Sequence, residues 1–219
     1  MAKVAVVLSG CGHLDGSEIQ ETVLSLLELK SFGHSYHCFA PDEDFIVFNH
    51  LTQSKTAEKR NSLVEAARIA RGEIKPLSSL IHIDYDVLYF PGGMGAASML
   101  SSFASSKTDY ELISGLEEII HAFNKSSKLI CATCIAPVIL AKAFDKKKSI
   151  TLTLGPNESY KELFHSFGHK ILTQKADQFC YDDKNRILTT PCYMDKTDIV
   201  HIHHGIKKMV EKMSEVLKF

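Results

Sequence analysis

Lys128-Leu-Ile-Cys-Ala-Thr-Cys134-Ile-Ala-Pro-Val-Ile-Leu-Ala-Lys142 is the stretch on which the reading of this chain turns. Leu129 to Thr133 has strand character, and at Cys134 the chain passes into an apolar, helix-permissive segment. Such an elbow presents a side chain at the carboxyl edge of a sheet and near the amino end of a helix. Unpaired N–H groups and the positive end of the helix dipole favour a thiolate there. The geometry is the thiol counterpart of the serine elbow of hydrolases, without the G-x-S-x-G glycines. Cys134 is therefore a candidate nucleophile, against the commoner fate of a cysteine as a small buried apolar residue.

Strand-like and helix-like segments alternate on both sides of this elbow. Val4 to Leu8 is a valine-rich run stopped by Ser9-Gly10, and Ser17 to about Lys30 follows as a helix. Ile19, Val23, Leu26 and Leu27 form its expected apolar face, with Ser17 as N-cap. His34 to Phe39 and Asp86 to Phe90 are further strands, and Phe45 to Leu51 is a short extra one. Helices are expected over Asn61 to Arg71, Tyr110 to Asn124, around Ser159 to Phe167, and Lys196 to Leu217. More strands fall at 149–154, 170–174, 178–182 and 186–190. The alternation predicts an α/β fold, an open, mostly parallel sheet with helices on both faces. All 219 residues form one domain in this reading, with no linker-like segment.

In a sheet of this kind the functional site lies outside the carboxyl ends of the strands. Three loops converge there. Ser9-Gly-Cys-Gly-His-Leu-Asp-Gly-Ser-Glu18 brings a carboxylate to a helix start, where a plain capping acid is the commoner role. Pro91-Gly-Gly-Met-Gly95 has backbone N–H groups open to close approach. The third loop is the elbow. A thiol, a carboxylate and a glycine turn able to act as an oxyanion hole are the parts of cofactor-free carbonyl chemistry. Gly10-Cys-Gly12 begins like a dinucleotide fingerprint, but Asp15 stands where the third glycine belongs, and that reading is rejected.

Bulk properties exclude other classes. A net charge of −1 argues against a nucleic-acid or membrane-surface partner, and no apolar run is long enough for a membrane span. Six scattered cysteines suit free thiols and, with no leader pattern at the start, a cytoplasmic location. Cys131 and Cys134 form a C-x-x-C, with Cys131 inside the strand. No metal site is expected: His201, His203 and His204 read as a surface patch with no acid nearby.

The three loops together resemble the glutamine-amidotransferase-like (PfpI) superfamily, and more closely its ElbB branch of isoprenoid biosynthesis glyoxalases. The carrying motifs are Ser9 to Glu18, Phe90-Pro-Gly-Gly-Met-Gly-Ala-Ala97 and Ala132-Thr-Cys-Ile-Ala-Pro137. Asn49-His-Leu-Thr52, Arg60-Asn61, Glu65-Ala-Ala-Arg68, Arg71-Gly-Glu73 and Thr189-Thr-Pro-Cys-Tyr-Met194 match that branch as well. The resemblance implies a flavodoxin-like fold, a homodimer and no cofactor. It places the nucleophile at Cys134 and the helix-start acid at Glu18. Gly92, Gly93, Met94 and Ile135 would line the oxyanion and substrate site, with Cys11 a further lining residue. The implied activity is a glutathione-independent, glyoxalase-like lyase on small 2-oxoaldehydes such as methylglyoxal. It would act through a Cys134 hemithioacetal with Glu18 shuttling the proton.

The chain departs from the amidotransferase pattern in one respect. Downstream of Cys134 no histidine is followed two residues later by an acid, and none at all lies between His121 and His165. A thiol-based redox or stress-responsive protein, and a partner-dependent accessory protein with a degenerate site, are the alternatives this leaves open.

Overall fold

The computed structural model describes residues 1–156 and 160–217. The apolar runs read from the sequence become the central strands β1 (Lys3–Val7), β2 (Ser35–Ala40), β6 (Val87–Phe90), β7 (Leu129–Thr133) and β11 (Ile187–Thr190). With edge strands β5 (Ile74–Pro76) and β10 (Cys180–Asp182) they make a seven-stranded sheet in the order β10-β11-β7-β6-β1-β2-β5. Every pairing is parallel except β10 with β11. Every residue of β6, β7 and β11 is buried, as expected for strands covered on both faces. The expected flavodoxin-like architecture is the one observed.

Eight α-helices among the described residues complete the fold: α1 (Ile19–Ser31), α2 (Ser62–Ile69), α3 (Met94–Ser98), α4 (Phe103–Ser106), α5 (Leu116–Lys125), α6 (Pro137–Ala143), α7 (Lys161–Ser166) and α8 (Ile199–Leu217). A hairpin of β3 (Asp44–Asn49) and β4 (Ser54–Asn61) stands apart from the sheet, as does a parallel pair of β8 (Thr151–Thr153) and β9 (Lys170–Leu172). Ser159, where the α7 pattern was expected to begin, lies outside the described residues.

Three departures from expectation have physical causes. The first is the orientation of α1. Its cap is Glu18, not Ser17, and Ile19, Val23 and Leu27 are 45%, 50% and 52% exposed. The helix instead buries Glu21, Thr22, Ser25, Leu26, Glu28 and Leu29, so it turns a largely polar stripe inward. Partners on other elements make this tolerable. Ser25 shares a hydrogen bond with the buried Tyr89 hydroxyl at 2.7 Å, and Glu28 meets His203 of α8 at 2.6 Å. The triple-histidine stretch is therefore not without acids: His203 binds Glu28, and His201 binds Asp198 at 3.0 Å.

The second departure is β4, whose sequence Ser-Lys-Thr-Ala-Glu-Lys-Arg-Asn carries no apolar alternation. It forms by pairing antiparallel with β3, not by burial. Asn61 then ends it by capping α2, accepting the Val64 N–H at 3.1 Å while donating to Asp42 at 2.8 Å. The third is α5, which begins at Leu116 and not at Tyr110. Tyr110 is fully buried with its hydroxyl donating to the Val138 carbonyl at 2.7 Å, so it serves the core as a loop residue.

Helix α8 packs along α1 and over β11. Its Gly205 lies so close to the chain that an added Cβ would collide with the Ala176 carbonyl and stand 3.0 Å from Thr190 Oγ1. Replacing Gly205 with alanine would force α8 outward. We expect Gly205→Ala to lower unfolding free energy by about 2–4 kcal/mol in urea titrations. Val64→Ala, on the exposed face of α2, should change it by less than about 0.5 kcal/mol.

Candidate active site

The elbow has the sharp geometry the sequence implies. Cys134 follows β7 directly and adopts φ +58°, a left-handed conformation that costs a non-glycine residue about 1–2 kcal/mol. Two backbone bonds hold it there. The Cys134 N–H donates to the Thr190 carbonyl of β11 at 2.9 Å, and the Ala136 N–H closes the turn on the Thr133 carbonyl at 2.9 Å. Helix α6 starts at Pro137, three residues beyond.

The acid that meets the sulfur is Glu21. Its carboxyl is completely buried, with Oε1 accepting the Tyr193 N–H at 3.2 Å and Oε2 accepting from the Thr133 hydroxyl at 3.4 Å. The Cys134 thiol lies against the same carboxyl, and the two groups act on each other's ionisation. Gly92 is what allows this proximity. A Cβ there would overlap both the Glu21 carboxyl and Cys134 Cβ and stand 3.1 Å from the sulfur. Its N–H donates to the Thr133 hydroxyl at 2.9 Å, and its carbonyl accepts the Glu18 N–H at 2.8 Å. Gly93, at φ +100°, takes a conformation and a proximity to Gly16 and Ser17 that a side chain would disrupt.

The electrostatics follow from burial. Desolvation, then the neighbouring Glu18 charge, push Glu21 from an ordinary 4.5 up to about 8, against smaller opposing hydrogen bonds. That amounts to roughly 5 kcal/mol against the charged form, so at pH 7 the carboxyl is about nine-tenths neutral. Desolvation followed by Glu21 drives Cys134 well above its ordinary value. The resting state is thus a thiol beside a neutral acid. The thiolate expected from the helix dipole is not favoured, because burial to 7% exposure outweighs a helix end that starts three residues away.

Glu18 occupies a different position. One carboxyl oxygen accepts the Glu21 N–H at 2.6 Å, the capping role, and no hydrogen bond joins it to Cys134. It is half-buried, raised in pKa chiefly by desolvation, and lines a cavity of about 750 Å³ with Cys134, Gly93, Met94 and Ile135. His13, Tyr160, Tyr193 and Met194 also border this cavity. The candidate oxyanion donors separate clearly. The N–H groups of Gly93 and Ile135 face the Cys134 sulfur. The N–H of Gly92 is used by Thr133, and that of Met94 by the His13 carbonyl at 2.9 Å. Met94 contributes its side chain to the wall, and Gly92 contributes space. Cys11 lines another region: its charged neighbours are Glu65, Arg68 and Asp15, and it does not border the cavity.

A histidine-x-aspartate pair does exist in the first loop, His13-Leu-Asp15, but its members part company. Asp15 accepts the Phe48 N–H at 2.8 Å and lies 3.7 Å from His50, while His13 stands at the cavity rim with its ring against that of His50. Among the described residues no histidine is bonded to Cys134. Glu21 occupies the place beside the sulfur. Its signature in the sequence was the polar spacing Glu21, Ser25, Glu28 on a helix, hidden by the brighter Ile19, Val23, Leu27 stripe.

The raised Glu21 value has a sign that unfolding can check. Between pH 4.5 and 8 the unfolded chain loses this proton while the folded chain keeps it, so the native state is destabilised as pH rises. We expect Glu21→Gln to remove a downward slope of about 1.4 kcal/mol per pH unit from the stability profile over that window. Urea unfolding at half-unit pH steps measures it, and parallel profiles for the two proteins would contradict the assignment.

No family model matches the chain. Among curated proteins it is 39% identical over 227 residues to the ES1 protein homolog, mitochondrial, of Rattus norvegicus, covering 98% of this chain and 84% of the relative. It is 37% identical over 226 residues to the glutamine amidotransferase-like class 1 domain-containing protein 3, mitochondrial, of Homo sapiens, covering 98% and 83%. A crystal structure of an isoprenoid biosynthesis protein with amidotransferase-like domain from Ehrlichia chaffeensis matches 99% of this chain and all of that one, at 31% identity and a TM-score of 0.93. Drosophila melanogaster DJ-1beta, at 20% identity and a TM-score of 0.54, shares the fold. The cytoplasmic expectation is overturned by these curated relatives, which are named mitochondrial. Cysteine usage bears on redox setting and does not name the compartment that supplies it. On the strength of near-complete coverage at this identity, the chain belongs to the family of glutamine amidotransferase-like class 1 proteins that includes the mitochondrial ES1 homologues.

Proposed function

We propose that this protein is a cofactor-independent, glyoxalase-like lyase that rearranges 2-oxoaldehydes to 2-hydroxy acids, acting in mitochondria as its relatives' names suggest. The observation that carries this reading is the buried Glu21 carboxyl set against the Cys134 thiol, which lines a cavity. The likeness to the Ehrlichia chaffeensis protein favours the ElbB branch within the family.

The steps balance without an external reagent other than water. Cys134 sulfur adds to the aldehyde carbon as its proton passes to the ionised form of Glu21, and the Gly93 and Ile135 N–H groups stabilise the hemithioacetal oxyanion. Glu18, facing the cavity, removes the proton from the former aldehyde carbon and returns it to the neighbouring carbon. The product at this stage is a 2-hydroxy thioester on Cys134. Water cleaves it, releasing the hydroxy acid and restoring the thiol. Two carboxyls thus divide the labour, the buried one serving sulfur and the cavity-facing one serving carbon. Peroxide sensing is the weaker reading, because sensing cysteines are low-pKa thiolates and burial pushes this thiol the other way.

The homodimer implied by family resemblance has a face available on this reading. Ile19, Val23 and Leu27 form an exposed stripe on α1, and Ile19 also borders the cavity. Val23→Lys with Leu27→Lys should convert a dimer to a monomer in sedimentation velocity. A monomeric parent protein would remove this proposal.

Methylglyoxal loss without glutathione, with stoichiometric lactate, is the expected activity. Cys134→Ala and Glu21→Gln should each lower it by about 10²-fold or more, and Glu18→Gln should spare thiol alkylation while abolishing lactate. The rate should rise with pH through about 8 as Glu21 ionises and becomes able to accept the thiol proton. Undiminished turnover in Cys134→Ala would end this reading.

A further inference from the structure

A second cleft, of about 540 Å³, lies against the β3–β4 hairpin and shares the walls Leu14 and Met94 with the nucleophile cavity. Its apolar surface comes from Phe45, Phe48, Met99 and Leu112. Four carboxylates border it: Asp15, Glu43, Asp44 and Glu111. Two of them are occupied, Asp15 by the Phe48 N–H and Glu111 by Lys142 at 3.2 Å. Among the described residues the carboxylates of Glu43 and Asp44 have no partner, and the one cation bordering the cleft, Lys55, lies over the Phe48 ring, 5.9 Å from its centroid.

Ser62 supplies the independent sign of a ligand. It is fully buried in the cleft wall at the start of α2, and its hydroxyl has no hydrogen-bond partner among the described residues. A buried hydroxyl left unpaired is costly, and serines at such positions ordinarily turn to a backbone carbonyl. Here its backbone N–H is committed to the Glu43 carbonyl at 2.8 Å, which ties the serine to the acidic rim. A hydroxyl accepts as readily as it donates. An ammonium group suits an acceptor hydroxyl and unpaired carboxylates alike, while an alkyl chain suits the aromatic and thioether surface. An anion would meet two unpaired negative charges at the rim.

We propose that this cleft is a binding site for an amphiphilic primary ammonium compound, separated from the Cys134 cavity by the Leu14 and Met94 side chains. The site stands independently of the lyase reading, because none of its polar groups belongs to the thiol machinery.

The test uses n-hexylammonium as probe, with hexanol and hexanoate as controls, on the full chain at pH 7. Methyl-¹³C methionine NMR reads the position. Met94 and Met99 border the cleft and should shift on titration, while Met209 and Met213, buried in α8, should not. Binding should saturate for hexylammonium and weaken about tenfold in Glu43→Gln/Asp44→Asn, since charge-assisted hydrogen bonds are lost. Ser62→Ala should weaken it severalfold while leaving the melting temperature of the unliganded protein unchanged or higher. Equal binding of hexanol or hexanoate, unchanged binding in the double variant, or silent Met94 and Met99 methyls would each overturn the proposal.

Discussion

The site rests on one buried carboxyl. Glu21 has no exposed surface, and its side chain ties three separate segments together: Thr133 and Cys134 at the end of β7, Tyr193 after β11, and its own helix α1. A buried carboxyl in this setting is tolerable only because it is neutral at physiological pH and each oxygen receives a donor. The arrangement in turn dictates a glycine at position 92, the left-handed turn at Cys134, and the inward rotation of α1. Remove the acid and those constraints lose their common reason.

Support for the elbow reaches well beyond the loops. The Thr190 carbonyl holds the Cys134 N–H, and the Thr190 hydroxyl donates to the Gln178 carbonyl at 2.7 Å. Gly205 of α8 packs onto the same region. Cys134 is therefore braced by the sheet on one side and by the final helix behind it. Rigid support of this kind is what a positive φ at a cysteine requires.

The central sheet was legible because burial writes directly into sequence. Leu129 to Thr133 reads as a strand and is one, residue for residue, and β1, β2 and β6 fall within a residue of their expected places. What resisted reading was whatever depended on partners far along the chain. The face of α1 is chosen by Tyr89, His203 and Cys134, none of which its own periodicity contains. Strand β4 owes its form to β3 alone. The same limit applied to the site: Cys134 was visible at its elbow, whereas Glu21 sits one helical turn past the acid that the motif advertised. Gly92 and Met94 belonged to the right loop, yet only the fold shows that their N–H groups are bonded to Thr133 and His13 and not turned to the sulfur.

The two margins of the sheet carry a further consequence. On one side β5 is three residues long and ends in Pro76, which has no amide hydrogen to offer a neighbour. On the other, β10 is equally short and runs against the direction of the remaining strands. Neither border presents a long template for another chain to zip onto. The molecule can thus reach high concentration without propagating its own β-structure into fibres.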